Sequence, residues 1–406
     1  MQEKTGYSKK ELYSIALGAA LLAATTNIGP GFCNQSALFT GQLLGGFLVV
    51  ILFVAIFDIV CQGTAYRMCC FTGKYTADIA NSLKPGLGYF LSILVMIGMF
   101  VYQLGNVSGV ALGVRTIFNL DNQSAAISIL IAGVICILAF AYKKFNPIID
   151  MMAKVLAVIL IVAALIIAVK TKPPMGQVMS DFQGLEFAAL ILPFMTLLGG
   201  ASGGYSCLIG AHRLLGRGIS GKENYPVYQY TLRAHMGTVY LMRFLLFAAT
   251  YGVVKLGVTL DSADPARSAF EGGAGLLGRY IVGIVMFTAG LSTVVGCAVT
   301  LVTMLSVFFK NIEKYQRWVC IGFIILATLL MATIGQPSAM LVFAGAFNGL
   351  VLPVMMIIFL IASHNKRVMG EDYHHPLWMT IGAVLVIIIM GYSGITGFPK
   401  VFTLFQ

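Results

Sequence analysis

Apolar residues run along this chain in long stretches interrupted by charge and turn residues, with no sustained strict alternation of the kind a half-buried strand would show. The stretches lie near residues 12–37, 44–67, 89–114, 125–141, 149–169 and 187–211, and again near 237–256, 280–309, 319–334, 339–361 and 377–395. Most reach about 17 to 25 residues, the length a helix needs to cross a hydrocarbon core. The pattern predicts an all-α polytopic membrane protein with about eleven transmembrane helices. The first run continues beyond signal-peptide length without a cleavage site, so it is expected to remain as the first span.

Two spans carry breaks. The first contains Asn27-Ile28-Gly29-Pro30-Gly31, and the sixth contains Gly199-Gly200-Ala201-Ser202-Gly203-Gly204 after Pro193. Glycine costs about 1 kcal/mol in a helix interior, and proline removes a donor and clashes with the turn before it. In lipid the freed backbone groups must find partners inside the protein. Each break opens a group of five spans, and an odd number of crossings turns the second group upside down. This predicts an inverted 5+5 repeat, residues 12–169 and 187–361, with 377–395 as an extra helix in one transporter domain spanning 1–406. The competing reading is that the glycines only allow close helix packing.

Composition agrees with the hydropathy. Charged residues make up 10% of the 406 positions and apolar ones 59%, against about 25% charged in soluble domains, which excludes an ordinary cytosolic enzyme. The net charge of +11 would suggest nucleic acid in a soluble protein. Sorted by membrane side, seventeen of the 26 Lys and Arg, including Lys4, Lys9, Lys10, Arg67, Lys143, Lys144 and Lys310, fall with the N-terminus. The excess therefore predicts a cytoplasmic N-terminus and an external C-terminus, in a prokaryotic plasma membrane, with the lipid bilayer and no nucleic acid as partner. Lys154 and Arg243 stay within or near the ends of spans. The eight cysteines show no disulfide or metal spacing. Phosphate-binding loops, nucleophile elbows and zinc-protease helices are absent, so no enzyme chemistry and no cofactor are expected.

Several segments resemble the NRAMP family of proton-coupled divalent-metal transporters. Gly29-Pro30-Gly31-Phe32 stands where that family has Asp-Pro-Gly-Asn, and Gln62 and Arg67 match its Gln and Arg at the end of the second helix. Thr72-Gly73-Lys74, Gly105-Asn106-Val107-Ser108-Gly109, Ala289-Gly290-Leu291-Ser292-Thr293, Asn348-Gly349-Leu350-Val351-Leu352-Pro353 and Met369-Gly370 extend the similarity through nearly the whole chain. The resemblance implies a transporter with broken first and sixth helices.

The departures fall where that family's chemistry sits. Its first-helix Asp and Asn align with Gly29 and Phe32, its Met-Pro-His-Asn with Gly203-Gly204-Tyr205-Ser206, and its third-helix acidic pair with Gln103 and Asn106. Dehydrating a divalent ion takes negative or strongly donating ligands, and these positions are neutral. The expected cargo is thus a small polar organic solute, with or without a carboxylate, bound by Asn27, Gly29, Phe32, Gln103, Ser202, Gly203, Tyr205, Ser206 and Asn348. A partly hydrated magnesium or manganese ion is the alternative cargo, and a non-transporting receptor or scaffold the third reading. Asp58, inside the run Val54–Val60, is the candidate coupling residue because charge is costly there; pairing with Arg243 or Lys154, and a place near the cytoplasmic interface where Arg67 ends the helix, are its structural alternatives. The driving ion, H+ or Na+, and the oligomeric state stay open. His212, His235, His374 and His375 are expected at the interfaces, the last two as a weak metal candidate beside Glu371 and Asp372.

Overall fold

The computed structural model describes residues 7–121, 124–141, 146–306, 308–309 and 311–405. Lys4, Lys143, Lys144 and Lys310, assigned above to the cytoplasmic side, lie outside the described residues. Every extended element among those described is helical. In chain order these are α1 (Lys9–Asn27), α2 (Pro30–Leu43), α3 (Gly46–Thr72), α4 (Thr76–Leu83), α5 (Leu87–Phe118), α6 (Ala125–Ala141), α7 (Asn146–Thr171) and α8 (Val178–Gln183). The second half comprises α9 (Phe187–Ser202), α10 (Ile209–Leu215), α11 (Tyr225–Lys255), α12 (Pro265–Leu305), α13 (Gln316–Ile334), α14 (Pro337–His364), α15 (Lys366–Met369) and α16 (Leu377–Thr396).

Eight of these helices are long and apolar enough to cross a membrane: α3, α5, α7, α11, α12, α13, α14 and α16. The bent pair α1–α2, the shorter apolar α6 and the interrupted α9–α10 correspond to the other three expected spans. Local chemistry sets several ends. Ser8 and Glu11 form a reciprocal cap on α1, and Asp264 caps α12 through the Arg267 amide.

The spans divide into two packed groups. α1, α3, α9 and α11 form one bundle, α11 touching α1 and α3 and α3 touching α9. α5, α6, α12 and α13 form the other, with α5 against α12 and α6 against α13. α14 bridges them, packing on both α5 and α9. Leu52, Phe53 and Ile56 on α3 and Ile388 on α16 remain exposed, as suits side chains that face lipid rather than water.

Candidate functional site

The first break falls where the sequence put it. α1 ends at Asn27 and α2 starts at Pro30, its axis turned by 57°. Proline at the first position of α2 has no N–H to leave unsatisfied and is preset for a helix. Against it lies Gly109 of α5, where an added Cβ would overlap the Pro30 ring.

The second break differs in detail from the expectation. α9 continues through Pro193, Gly199 and Gly200 and ends only at Ser202. The turn is made at Gly203–Gly204, with Gly204 at φ +65°, a conformation that L side chains rarely adopt. Gly199 and Gly203 also let α9 lie against the α14 backbone at Gly345, Asn348 and Gly349, so the packing reading holds at Gly199, while Gly203 both packs and belongs to the break. The Tyr102 hydroxyl, shared between the carbonyls of Gly199 at 3.1 Å and Gly200 at 2.8 Å, serves the end of the broken helix.

A cavity of about 510 Å³ lies between the two breaks. Asn27, Gly29, Gly31 and Phe32 form its wall at the first break, and Gly200, Ala201, Tyr205 and Ser206 at the second. Tyr102 and Asn106 contribute from α5, Thr293 and Thr300 from α12, and Arg243 from α11. Leu22, Thr26 and Gly296, also in the wall, are exposed, so the cavity runs toward the end of the bundle where α1 begins. At the opposite end α2 is tied to α14 by Gln35 Nε2 on the Leu341 carbonyl at 2.8 Å, both residues of the wall, and by Asn34 Nδ2 on Ser338 Oγ at 3.0 Å.

Among the described residues, Arg243 and Lys154 are the charged side chains of this wall, and no carboxylate is among them. Arg243 is 4% exposed. Its guanidinium sits 3.9 Å from the centre of the Phe32 ring, a favourable cation–π contact. It forms no ion pair among the described residues, and Nη1 is buried without a hydrogen-bond partner. Two turns earlier on α11, His235 is fully buried and lies 3.0 Å from the Asn27 amide nitrogen. This corrects the expectation of an interfacial His235: helical spacing carries it under the first break rather than to the membrane surface.

Asp58 is fully buried and joins three helices. One oxygen accepts from Gln62 Nε2 at 2.9 Å and from the Ser202 hydroxyl at the end of α9; the other accepts from the Tyr240 hydroxyl of α11 at 2.9 Å. The expected alternative of an ion pair with Arg243 or Lys154 is not what forms. Neutral donors satisfy the carboxylate, while Arg243, one turn from Tyr240, turns to the cavity.

The structure brings Asn27, Gly29, Phe32, Tyr205 and Ser206 into one wall. The other four expected contacts stand outside it. Gln103, fully buried, donates to the Val294 carbonyl at 3.3 Å; Asn348, fully buried, donates to the carbonyls of Gly98 at 3.2 Å and Ala344 at 3.0 Å. Ser202 is turned to Asp58 and Gly203 is packed on α14. Sequence reasoning did not select Arg243, Tyr102 or His235. The signal for Arg243 was present, as a basic residue inside an apolar run; nothing in the sequence shows that it meets Phe32.

No group of three or more metal-ligand side chains occurs among the described residues. Glu371 pairs with Lys366 at 3.6 Å, while His375 Nδ1 meets the Tyr373 hydroxyl at 2.9 Å.

Broken spans around a buried cavity, on two packed helix groups, define a polytopic helical membrane transporter. The chain belongs to the natural resistance-associated macrophage protein-like family, whose model matches residues 20–398. It is 40% identical over 396 residues to the uncharacterized membrane protein YcsG of Bacillus subtilis, covering 97% of this chain and 96% of that one. Among solved structures it is similar to the Eremococcus coleocola manganese transporter, with TM-score 0.71 and 14% identity over 97% of this chain and 87% of that chain. It is also similar to MhsT in complex with L-phenylalanine, with TM-score 0.64 and 14% identity over 96% and 98%. At these identities the solved structures speak to the fold.

Proposed function

We propose that this transporter moves a small polar organic solute by alternating access through the cavity between its two broken spans. The observation that carries the reading is the sign of the charge in the wall: Arg243 is buried there and no carboxylate of the described residues lines it. A divalent cation entering would meet a like charge and would exchange its water only for carbonyls, amides and hydroxyls, a poor compensation for dehydration. The cavity's volume falls in the range of small-molecule sites. MhsT, solved with L-phenylalanine, offers a precedent for an organic cargo in a similar fold.

With the N-terminus cytoplasmic, as the charge asymmetry suggests, the cavity opens inward and its outer end is closed. Asp58 is our candidate for the coupling group, since one carboxylate holds the end of α9 and the side of α11 together. Either H+ or Na+ is compatible with this arrangement.

The second reading, a partly hydrated magnesium or manganese ion, is favoured by the similarity to a solved manganese transporter. Uptake by the purified protein in proteoliposomes separates the two. The expected result is negligible manganese uptake and saturable flux of at least one small organic solute. Fast manganese uptake competed by cadmium would overturn the organic reading.

A further inference from the structure

The cavity holds one group to which the proposed reading assigns no partner. Arg243 has three independent marks of a site awaiting an anion. It is buried to 4% exposure in the wall, its Nη1 lacks a hydrogen-bond partner, and it forms no ion pair with the described residues. An uncompensated buried charge is costly. The nearby carboxylate of Asp58 forms no ion pair with it among the described residues and accepts instead from Gln62, Ser202 and Tyr240. Phe32, standing where the resembling family has a ligand side chain, gives the guanidinium a face to rest on at 3.9 Å, which leaves its edge donors free. The N-terminus of α2, with Gly29 and Gly31 in the same wall, adds the positive end of a helix dipole.

From this arrangement we infer that Arg243 is the substrate's anchor and that the cargo is a small carboxylate. The inference rests on the organic reading above and narrows it. A carboxylate matches the guanidinium in charge and, with two oxygens in a plane, in geometry. A phosphate dianion would call for a second cation beside the guanidinium, and Lys154, the other cation of the wall, is exposed to solvent rather than buried with Arg243; a halide would use only one point of the fork. The remainder of the molecule would extend toward Tyr102, Tyr205 and Ser206 on the other side of the cavity.

The test is thermal unfolding of the purified full-length protein with matched probes. Lactate, succinate and L-alanine are each compared with the corresponding primary amide, with sodium chloride, sodium phosphate and manganese chloride as further arms. All are used at about 10 mM, where a ligand with millimolar affinity raises apparent stability by mass action. The expected result is a rise in Tm with at least one carboxylate, absent with its amide, with chloride and with phosphate. Arg243→Gln weakens that carboxylate by at least about 30-fold, and Arg243→Lys, which keeps the charge without the planar fork, loses less. Comparing carboxylate with amide in the unaltered protein needs no variant to fold. Equal shifts with acid and amide would overturn the anchor while leaving the organic reading intact. Equal shifts with chloride or phosphate would make this a general anion site and would also overturn the carboxylate assignment. A shift with manganese alone would remove both readings, and no shift with any carboxylate would remove this one.

Discussion

Two buried charges, Asp58 on α3 and Arg243 on α11, face different ways, and their partners explain the difference. Asp58 is satisfied by three neutral donors on α3, α9 and α11, whereas Arg243 has an aromatic face and a cavity. Replacing the carboxylate by an amide therefore tests coupling with limited damage to shape. Asp58→Asn keeps an acceptor oxygen but loses the charge that strengthens the Ser202 and Tyr240 bonds, a cost of about 1 to 3 kcal/mol. It should abolish flux driven by an acid outside while solute binding stays measurable. A pH dependence of uptake equal to that of the unaltered protein would end the coupling role.

At the scale of the element, neighbouring glycines in α9 have unlike tasks. A Cβ on Gly199 would run into the α14 backbone at Gly345 and Gly349, while one on Gly200 would find only Gln35 Oε1 at 3.9 Å. Alanine improves an exposed helix position by roughly 0.5 to 1 kcal/mol over glycine, but overpacking against backbone costs about 1 to 3 kcal/mol. Overpacking wins at Gly199, so Gly199→Ala should lower Tm in detergent. Gly200→Ala should leave Tm unchanged or slightly raised while trimming the cavity, to be read as an altered KM for uptake. Equal Tm for the two variants would contradict this division.

Those glycines also mark how far a sequence can be read. The run Gly199–Gly204 signalled a broken span, and one is present. Its location at Gly203–Gly204 depended on which glycines α14 approaches, a property of the pair of helices rather than of either. Pro193 shows the same limit, since α9 runs straight through it. Of the proposed contacts, Gln103 and Asn348 carried suitable chemistry but spend it on backbone carbonyls, Gln103 on α12 and Asn348 on α5 and its own preceding turn. Helix rotation about its own axis decides between those outcomes, and hydropathy leaves it undetermined within a buried span.

Over the whole molecule, the end away from the cavity mouth is held by a polar network at the start of α12. Asp264 accepts from the Thr116 hydroxyl at 2.6 Å and from the Arg267 amide at 3.1 Å, and Glu271 pairs with Arg267 at 3.1 Å and Arg279 at 3.5 Å. Burial pushes Asp264 up to about 6, against the pull of Thr116, the Arg267 amide and Arg115 in the other direction. A carboxyl with its folded pKa raised favours the fold most when protonated, below its ordinary value of 3.8. That contribution is lost as pH climbs through about 6. The two values differ enough for at most about 3 kcal/mol. Between pH 7 and pH 4 the unaltered protein should therefore gain Tm relative to Asp264→Asn; parallel curves would show that this carboxyl does not titrate in the fold.

What the sequence determined by itself was the set of spans, the two breaks and the missing carboxylates at the family's ligand positions, because hydropathy, helix breaking and side-chain charge are local properties that neighbours in the chain fix. Only the tertiary structure decided which polar groups share the cavity. Asn27 meets His235 across 208 positions, and Asp58 meets Ser202 across 144 and Tyr240 across 182. Such meetings depend on how each helix is turned and where its neighbour crosses it. Packing between whole helices sets those quantities, and within a span buried on every side it leaves almost no mark on the pattern of apolar residues.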